Sequence, residues 1–361
     1  VRVRGAELRR CAAPLLAPVR NARTEWRRRE SVLLRVYDWE GRVGRGEASP
    51  LPGYSRDSLE DCASALGSFP WSDLPVIEEP AQATEVALRL GAHLPAARFA
   101  AETALFDLLG QATDQSLPRL LGAPADSRVP LCALLRSETV AAQAAEVSDY
   151  ERQGIHCFKR KLLGTNSSGP RQGLYPESGL LVALRRQAPR AGIRVDANRA
   201  LPREEIPATL RALSEILPEW VEEPAAALED LAESPVPLAF DESLQDPGNW
   251  DRVFELLATQ GRGTVVLKPM ALGGHGPCMA LAKRAHAAGL RASVSHLFDG
   301  PIALASAAAL ALALPGTRVA AGLAPHPGLS AWPDTTMHFV RAGELIPWDV
   351  PGLGLGEVEP Q

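Results

Sequence analysis

Residues 192–243 read GIRVDANRALPREEIPATLRALSEILPEWVEEPAAALEDLAESPVPLAFDES. Three short apolar stretches, GIRVDAN, EWVEEP and PLAFDES, alternate here with segments able to hold a helix. Repetition of strand, helix and strand implies parallel strands joined by right-handed crossovers. Each stretch also ends in acid: Asp196, then Glu222 or Glu223, then Asp241.

The same alternation runs outward in both directions. VPLCALL (129–135) and HCFKRKL (156–162) precede it, and GTVVLKP (263–269), LRASVSH (290–296) and GTRVAAGL (316–323) follow. Eight strand candidates close naturally into a (β/α)8-type barrel. An open doubly wound sheet is the alternative, but no Gly-x-Gly-x-x-Gly follows the first strand. Upstream, SVLLRVYDWEGRVGRGEASPLPGYS (31–55) reads as a β-hairpin turning at Glu40-Gly41, and RDSLEDCASAL (56–66) as a helix capped by Asp57 or Ser58. AARFAAETALFDLLGQATDQSLPRLLG (96–122) has helical spacing and ends at a glycine. The expected organisation is therefore an α/β protein with an N-terminal α+β domain over residues 1–110 and a barrel over 111–339.

Composition narrows the function classes. The 361 residues carry a net charge of −5, with 46% hydrophobic and 22% charged residues, as in globular proteins without long single-sign runs. No nucleic-acid surface is expected, and Arg27, Arg28 and Arg29 read as a solvated turn. Cys11, Cys62, Cys132, Cys157 and Cys278 lack Cys-x-x-Cys spacing, which favours reduced thiols in a cytoplasmic protein over a disulfide framework or zinc site. The opening residues lack a leader pattern, and the apolar run PIALASAAALALALPG (301–316) is too short to span a membrane and reads as a buried helix.

The charges on the strands point to chemistry. In a barrel, strand C-termini meet in one bowl. Lys159 and Lys161 share one face of CFKRK at period two, with Lys268 beyond three intervening strands. Three converging carboxylates repel one another unless a hard divalent cation holds them in an oxygen site of the kind Mg2+ prefers. Beside such a cation, Lys159 lowers the pKa of Lys161 and suits it to act as a base. Together these residues suggest proton abstraction next to a carboxylate. The loop GTNSSGPRQGLYPESG (164–179) on the same rim reads as a lid or a flexible insertion.

The Lys-x-Lys strand, DAN, EEP, DES and LKP resemble, in order and spacing, the enolase superfamily in its muconate-lactonising branch. That resemblance implies a modified (β/α)7β barrel with an α+β capping domain, to which residues 340–361 return. It implies Asp196, Glu222 and Asp241 as ligands for Mg2+ (or Mn2+), Lys161 as acid/base, Lys268 opposite it, and Glu223 behind the ligands. GRGEASPLPGYSRDSLE and IRVDANRAL look most like o-succinylbenzoate synthases, which dehydrate 2-succinyl-6-hydroxy-2,4-cyclohexadiene-1-carboxylate in menaquinone biosynthesis. Arg194, Asn198, Ser295 and His296 become the expected contacts for a small carboxylate substrate. VSHLFDGP departs from the serine-rich stretch of many synthases: His296 takes a serine position and Asp299 the glutamate position. Arg160 stands where the branch is usually apolar, so its guanidinium is expected to reach solvent. An N-acylamino acid racemase or dipeptide epimerase is the alternative, although GTRVAAGLAPHPG lacks the Asp-x-Asp that holds a dipeptide ammonium. A non-catalytic barrel would have no reason to keep five such charges.

Overall fold

The computed structural model describes residues 1–20, 24–162, 177–329, 332 and 337–356. The chain opens with an antiparallel meander of β1 (Val3–Arg20), β2 (Glu25–Asp38) and β3 (Val43–Ala48). The β2–β3 turn falls at Glu40-Gly41 as expected, because Gly41 supplies a φ of +84° and Asp38 Oδ1 accepts from Glu40 N and Arg42 N.

Of the two possible caps, Ser58 is the one that starts α1 (Leu59–Ser68), through a reciprocal capping box with Asp61. Asp57 instead accepts from Ala96 N, 2.7 Å away, at the start of α3 (Pro95–Thr113). Between them lies α2 (Pro80–Leu88). The α3 helix ends before the expected glycine: Asp114 turns left-handed at φ 54°, and a separate short helix, Leu117–Leu120, runs up to Gly122. The α3 helix lies directly on β3, where a Cβ at Gly44 or Gly46 would come within 2.0 Å of the Ala104 or Ala100 carbonyl.

β4 (Val129–Pro130) leads into seven parallel strands paired in chain order: β5 (Cys132–Leu135), β6 (Cys157–Lys161), β7 (Gly192–Asp196), β8 (Trp220–Glu222), β9 (Leu238–Phe240), β10 (Thr264–Leu267) and β11 (Arg291–Val294). The eighth expected strand, 316–323, is not a strand. It closes the curl through single bridges, Leu131 to Ala321 and Ser295 to Gly322. A side chain at Gly322 would press on Ser295 Oγ at 2.7 Å, so this segment passes close to the residue that follows β11.

The helix Pro301–Ala313 is buried from Pro301 to Leu312, as its alanine-rich sequence implies. No helix among the described residues is long and apolar enough to cross a membrane. A terminal hairpin, β12 (Val340–Arg341) and β13 (Glu344–Leu345), pairs with β4. Beyond it the chain reaches the N-terminal layer, where Leu353 N donates to Asp107 Oδ1 (2.8 Å) and Arg45 Nη2 to the Leu355 carbonyl (2.9 Å). The 164–179 loop lies outside the described residues except for 177–179, which open the helix Glu177–Gln187.

Candidate active site

Parallel pairing puts the expected charges side by side. Lys161, Asp196 and Glu222 are register partners across β6, β7 and β8. With Lys159, Asn198, Lys268, Ser295 and His296 they line one cavity of about 250 Å³ at the C-terminal strand ends. Asp241 stands just behind that wall, ion-paired to Lys268.

Two lysines on one strand face have different surroundings. Lys159 Nζ lies 2.8 Å from Asp196 Oδ2 and 2.7 Å from Glu222 Oε1. Burial opposes its charge, but these carboxylates outweigh burial and raise its pKa. Lys161 lacks such a clamp. Burial, reinforced by the positive charges of Lys159 and Lys268 and resisted by Asp196, lowers it to about 8. Burial also opposes the Lys268 charge, yet Asp241 and Glu222 raise its pKa. Burial and the neighbouring charges of Asp196 and Asp241 push Glu222 up to about 8 against the pull of Lys159.

The backbone after these strands is held in strained form. Asn198, Arg199 and Glu223 have positive φ (45°, 58° and 42°), a left-handed conformation costing about 1 kcal/mol or more for residues with side chains. Hydrogen bonds maintain it: Arg199 N donates to the Glu223 carbonyl at 2.7 Å, and Glu223 Oε1 accepts from Asp241 N (3.0 Å) and Ser243 N (2.6 Å). Glu223 Oε2 is taken by Arg199 Nε and Ser243 Oγ, both at 2.9 Å. Glu223 thus braces the loop carrying Asp241.

A divalent cation fits the donors present. Carboxylate oxygens of Glu223, Asp241 and Glu242 gather within 4.8 Å of one another, a cluster that includes one expected ligand. Asn198 Oδ1 and Glu242 Oε2 are buried with no hydrogen-bond partner among the described residues. With Asp196 and Glu222 alongside, the donors are all oxygen, the set that hard cations select.

Arg160 and Arg29 depart from their sequence expectations, whereas Arg194 and His296 line the cavity. Arg160 does not reach solvent: it is buried, with Nη1 on Gln143 Oε1 (3.1 Å) and Nη2 on the Ser137 carbonyl (2.7 Å), because its strand face packs against the helix layer. Arg29 is no part of a solvated turn either. It is buried and donates to the Phe298 carbonyl at 3.2 Å and the Pro50 carbonyl at 3.1 Å. Arg194 lies one layer below Asp196 on the cavity floor, with Nε on Glu219 Oε2 (2.7 Å) and Nη1 on the Ala320 carbonyl (2.8 Å). His296 lines the cavity; burial first, then Lys268 and Lys159, hold it neutral with a pKa of about 3.

The sequence reading missed two groups. Tyr54, from the Gly/Pro-rich loop of the N-terminal domain, accepts from Lys268 Nζ at 3.0 Å and lies 3.4 Å from Asp241 Oδ2. Burial and the charge of Asp241 keep its hydroxyl protonated. His326, in APHPG, stacks near His296 with ring centroids 4.2 Å apart. Only the motif LPGYS signalled the first, and nothing local signalled the second.

This geometry agrees with the comparisons to known proteins. Residues 139–358 match the model described as enolase C-terminal domain-like, and residues 6–122 match the mandelate racemase / muconate lactonizing enzyme N-terminal domain. The chain belongs to the enolase superfamily, with an N-terminal capping domain over a curled parallel sheet. It is 29% identical over 366 residues to the o-succinylbenzoate synthase of Salmonella arizonae, covering 98% of this chain and 96% of that one. It is also 30% identical over 321 residues to the L-Lys-D/L-Arg epimerase of Methylococcus capsulatus, covering 84% and 85%. A crystal structure of the dipeptide epimerase from Methylococcus capsulatus, complexed with Mg and L-Arg-D-Lys, superposes with a TM-score of 0.81 at 26% identity, covering 98% and 99%.

Proposed function

We propose that this chain is a divalent-cation-dependent o-succinylbenzoate synthase, converting 2-succinyl-6-hydroxy-2,4-cyclohexadiene-1-carboxylate to o-succinylbenzoate and water. The observation that carries this choice within the superfamily is the wall facing the lysines. Its lining from β11 onward is Ser293, Ser295, His296, Leu297, Phe298, Gly322, Ala324, Pro325, His326 and Pro327. No carboxylate among these residues could pair with a substrate ammonium, and His296 is neutral. Such a wall suits a substrate without an amino group.

In this reading Asp196, Glu222 and Asp241 hold Mg2+ or Mn2+, which supplies positive charge to the substrate carboxylate. Lys161, neutral above a pKa of about 8, removes the proton next to that carboxylate. Lys268 keeps its charge and faces the developing negative charge from the opposite side. Protonated Lys161 then returns the proton to the departing hydroxyl on the same face, and water leaves. Lys159 stays charged between Asp196 and Glu222 and maintains the low pKa of Lys161.

Epimerisation of dipeptides or racemisation of N-acylamino acids is the second reading, favoured by the 30% identical epimerase. It would use Lys161 and Lys268 as acid/bases on opposite faces. Incubation in D2O separates the two. The proposal expects o-succinylbenzoate from the cyclohexadiene substrate and little α-deuteration of dipeptides. Rapid α-deuteration of dipeptides without dehydration would establish the second reading instead.

A further inference from the structure

Cys132 and Cys157, far apart in sequence, are register partners on β5 and β6. Both side chains face the barrel interior and cluster with Ala320. Neighbouring strands run about 4.8 Å apart, within the Cα separation a disulfide accepts. Inward side chains on a curled sheet converge further.

Their surroundings set this pair apart from the other cysteines. Arg194, stacked 3.8 Å from the Trp220 ring centroid, has an Nη2 with no hydrogen-bond partner among the described residues. Glu219 Oε2 lies 3.6 Å from Cys157 Sγ. Burial alone would raise the Cys132 pKa, but the Cys157 thiol and the Arg194 charge lower it on balance. Cys157 is raised by the neighbouring Cys132 and by burial. Burial likewise raises Cys62 and Cys278. Cys132 also lines the active cavity, which gives small solutes a route to it.

We propose that Cys132 and Cys157 form an oxidisable dithiol on the floor of the active-site cavity. The Cys132 sulfur attacks hydrogen peroxide, the O–O bond breaks, and a sulfenic acid forms with release of one water. The Cys157 sulfur then displaces the sulfenic hydroxyl as a second water and closes the disulfide. Two thiols and one peroxide thus become one disulfide and two waters.

The test reads sulfur chemistry and not turnover, so its outcome is independent of the proposed dehydration. Reduced full-length protein is treated with a few equivalents of hydrogen peroxide, alkylated and peptide-mapped without reductant. The expected result is a mass loss of about 2 Da, a Cys132–Cys157 cross-linked peptide pair, and reversal by dithiothreitol. In Cys157→Ser, dimedone should label Cys132; circular dichroism checks that the variant is folded. If it is not, the map of the unsubstituted protein decides. Oxidation spread evenly over Cys11, Cys62 and Cys278, or no Cys132–Cys157 peptide, would overturn the proposal.

Discussion

Lys159 and Lys161 occupy the same face of one strand, yet their environments move their pKa values in opposite directions. Lys159 is clamped by Asp196 and Glu222 and raised, while Lys161, half-buried, is lowered to about 8 by desolvation and by the charges of Lys159 and Lys268 against the pull of Asp196. One lysine is therefore suited to remain charged and the other to exchange a proton.

Lys161→Ala should lower kcat by about 10²-fold or more, in the range for loss of a positioned acid/base. Its melting temperature should stay close to that of the parent, because removing the ammonium relieves its repulsion from Lys159 and Lys268 as well as losing its attraction to Asp196. Steady-state kinetics with a thermal melt checks both. Parent-like turnover would remove Lys161 from the chemistry.

The pH profile follows from the sign of that shift. A general base must be neutral, so kcat/KM should rise with pH and level off above the Lys161 pKa, at or below about 8 because a bound cation lowers it further. Activity constant from pH 5 to 9 would contradict the assignment.

Asp241→Asn should weaken binding of Mg2+ alone, measured by titration calorimetry without substrate, and lower activity with it. Lys268 would also lose its ion-pair partner. Unchanged cation affinity would exclude Asp241 as a ligand.

Much of this site is legible from sequence because strand geometry places it. Period-two alternation puts Lys159 and Lys161 together, and parallel register brings Asp196 beside Glu222. What depends on distant loops is not legible. Tyr54 reaches Lys268 from another domain, and Arg29 is buried where the segment after β11 packs onto β2 and β3. Arg160 shows the same limit, since its solvent access depends on Gln143 and on the Ser137 backbone rather than on its own strand.

Asp299 gives a stability prediction of the opposite kind. Burial raises it to about 7, Arg29 and Lys268 draw it down, and Glu47 pushes it up, while its Oδ2 accepts from Leu297 N at 3.2 Å. The folded pKa lies above the unfolded one, so the folded state binds the proton more tightly and Asp299 costs stability as pH rises from about 4 to 7. Asp299→Asn, still able to accept that hydrogen bond, should raise the melting temperature more at pH 8 than at pH 4.5. An equal shift at both values would refute this linkage.

Gly46→Ala should destabilise the N-terminal domain by about 1–3 kcal/mol, because the new methyl would meet the Ala100 carbonyl at 2.0 Å. Urea melts check it. A neutral change would mean that β3 and α3 separate easily.

The central claim is tested most directly by following the ultraviolet absorbance of 2-succinyl-6-hydroxy-2,4-cyclohexadiene-1-carboxylate on adding purified protein, with Mg2+ and again with a chelator. The account predicts a rapid loss with Mg2+, o-succinylbenzoate as product, and no loss with the chelator. No loss under either condition would contradict the dehydratase assignment and leave the isomerase reading of the same lysines.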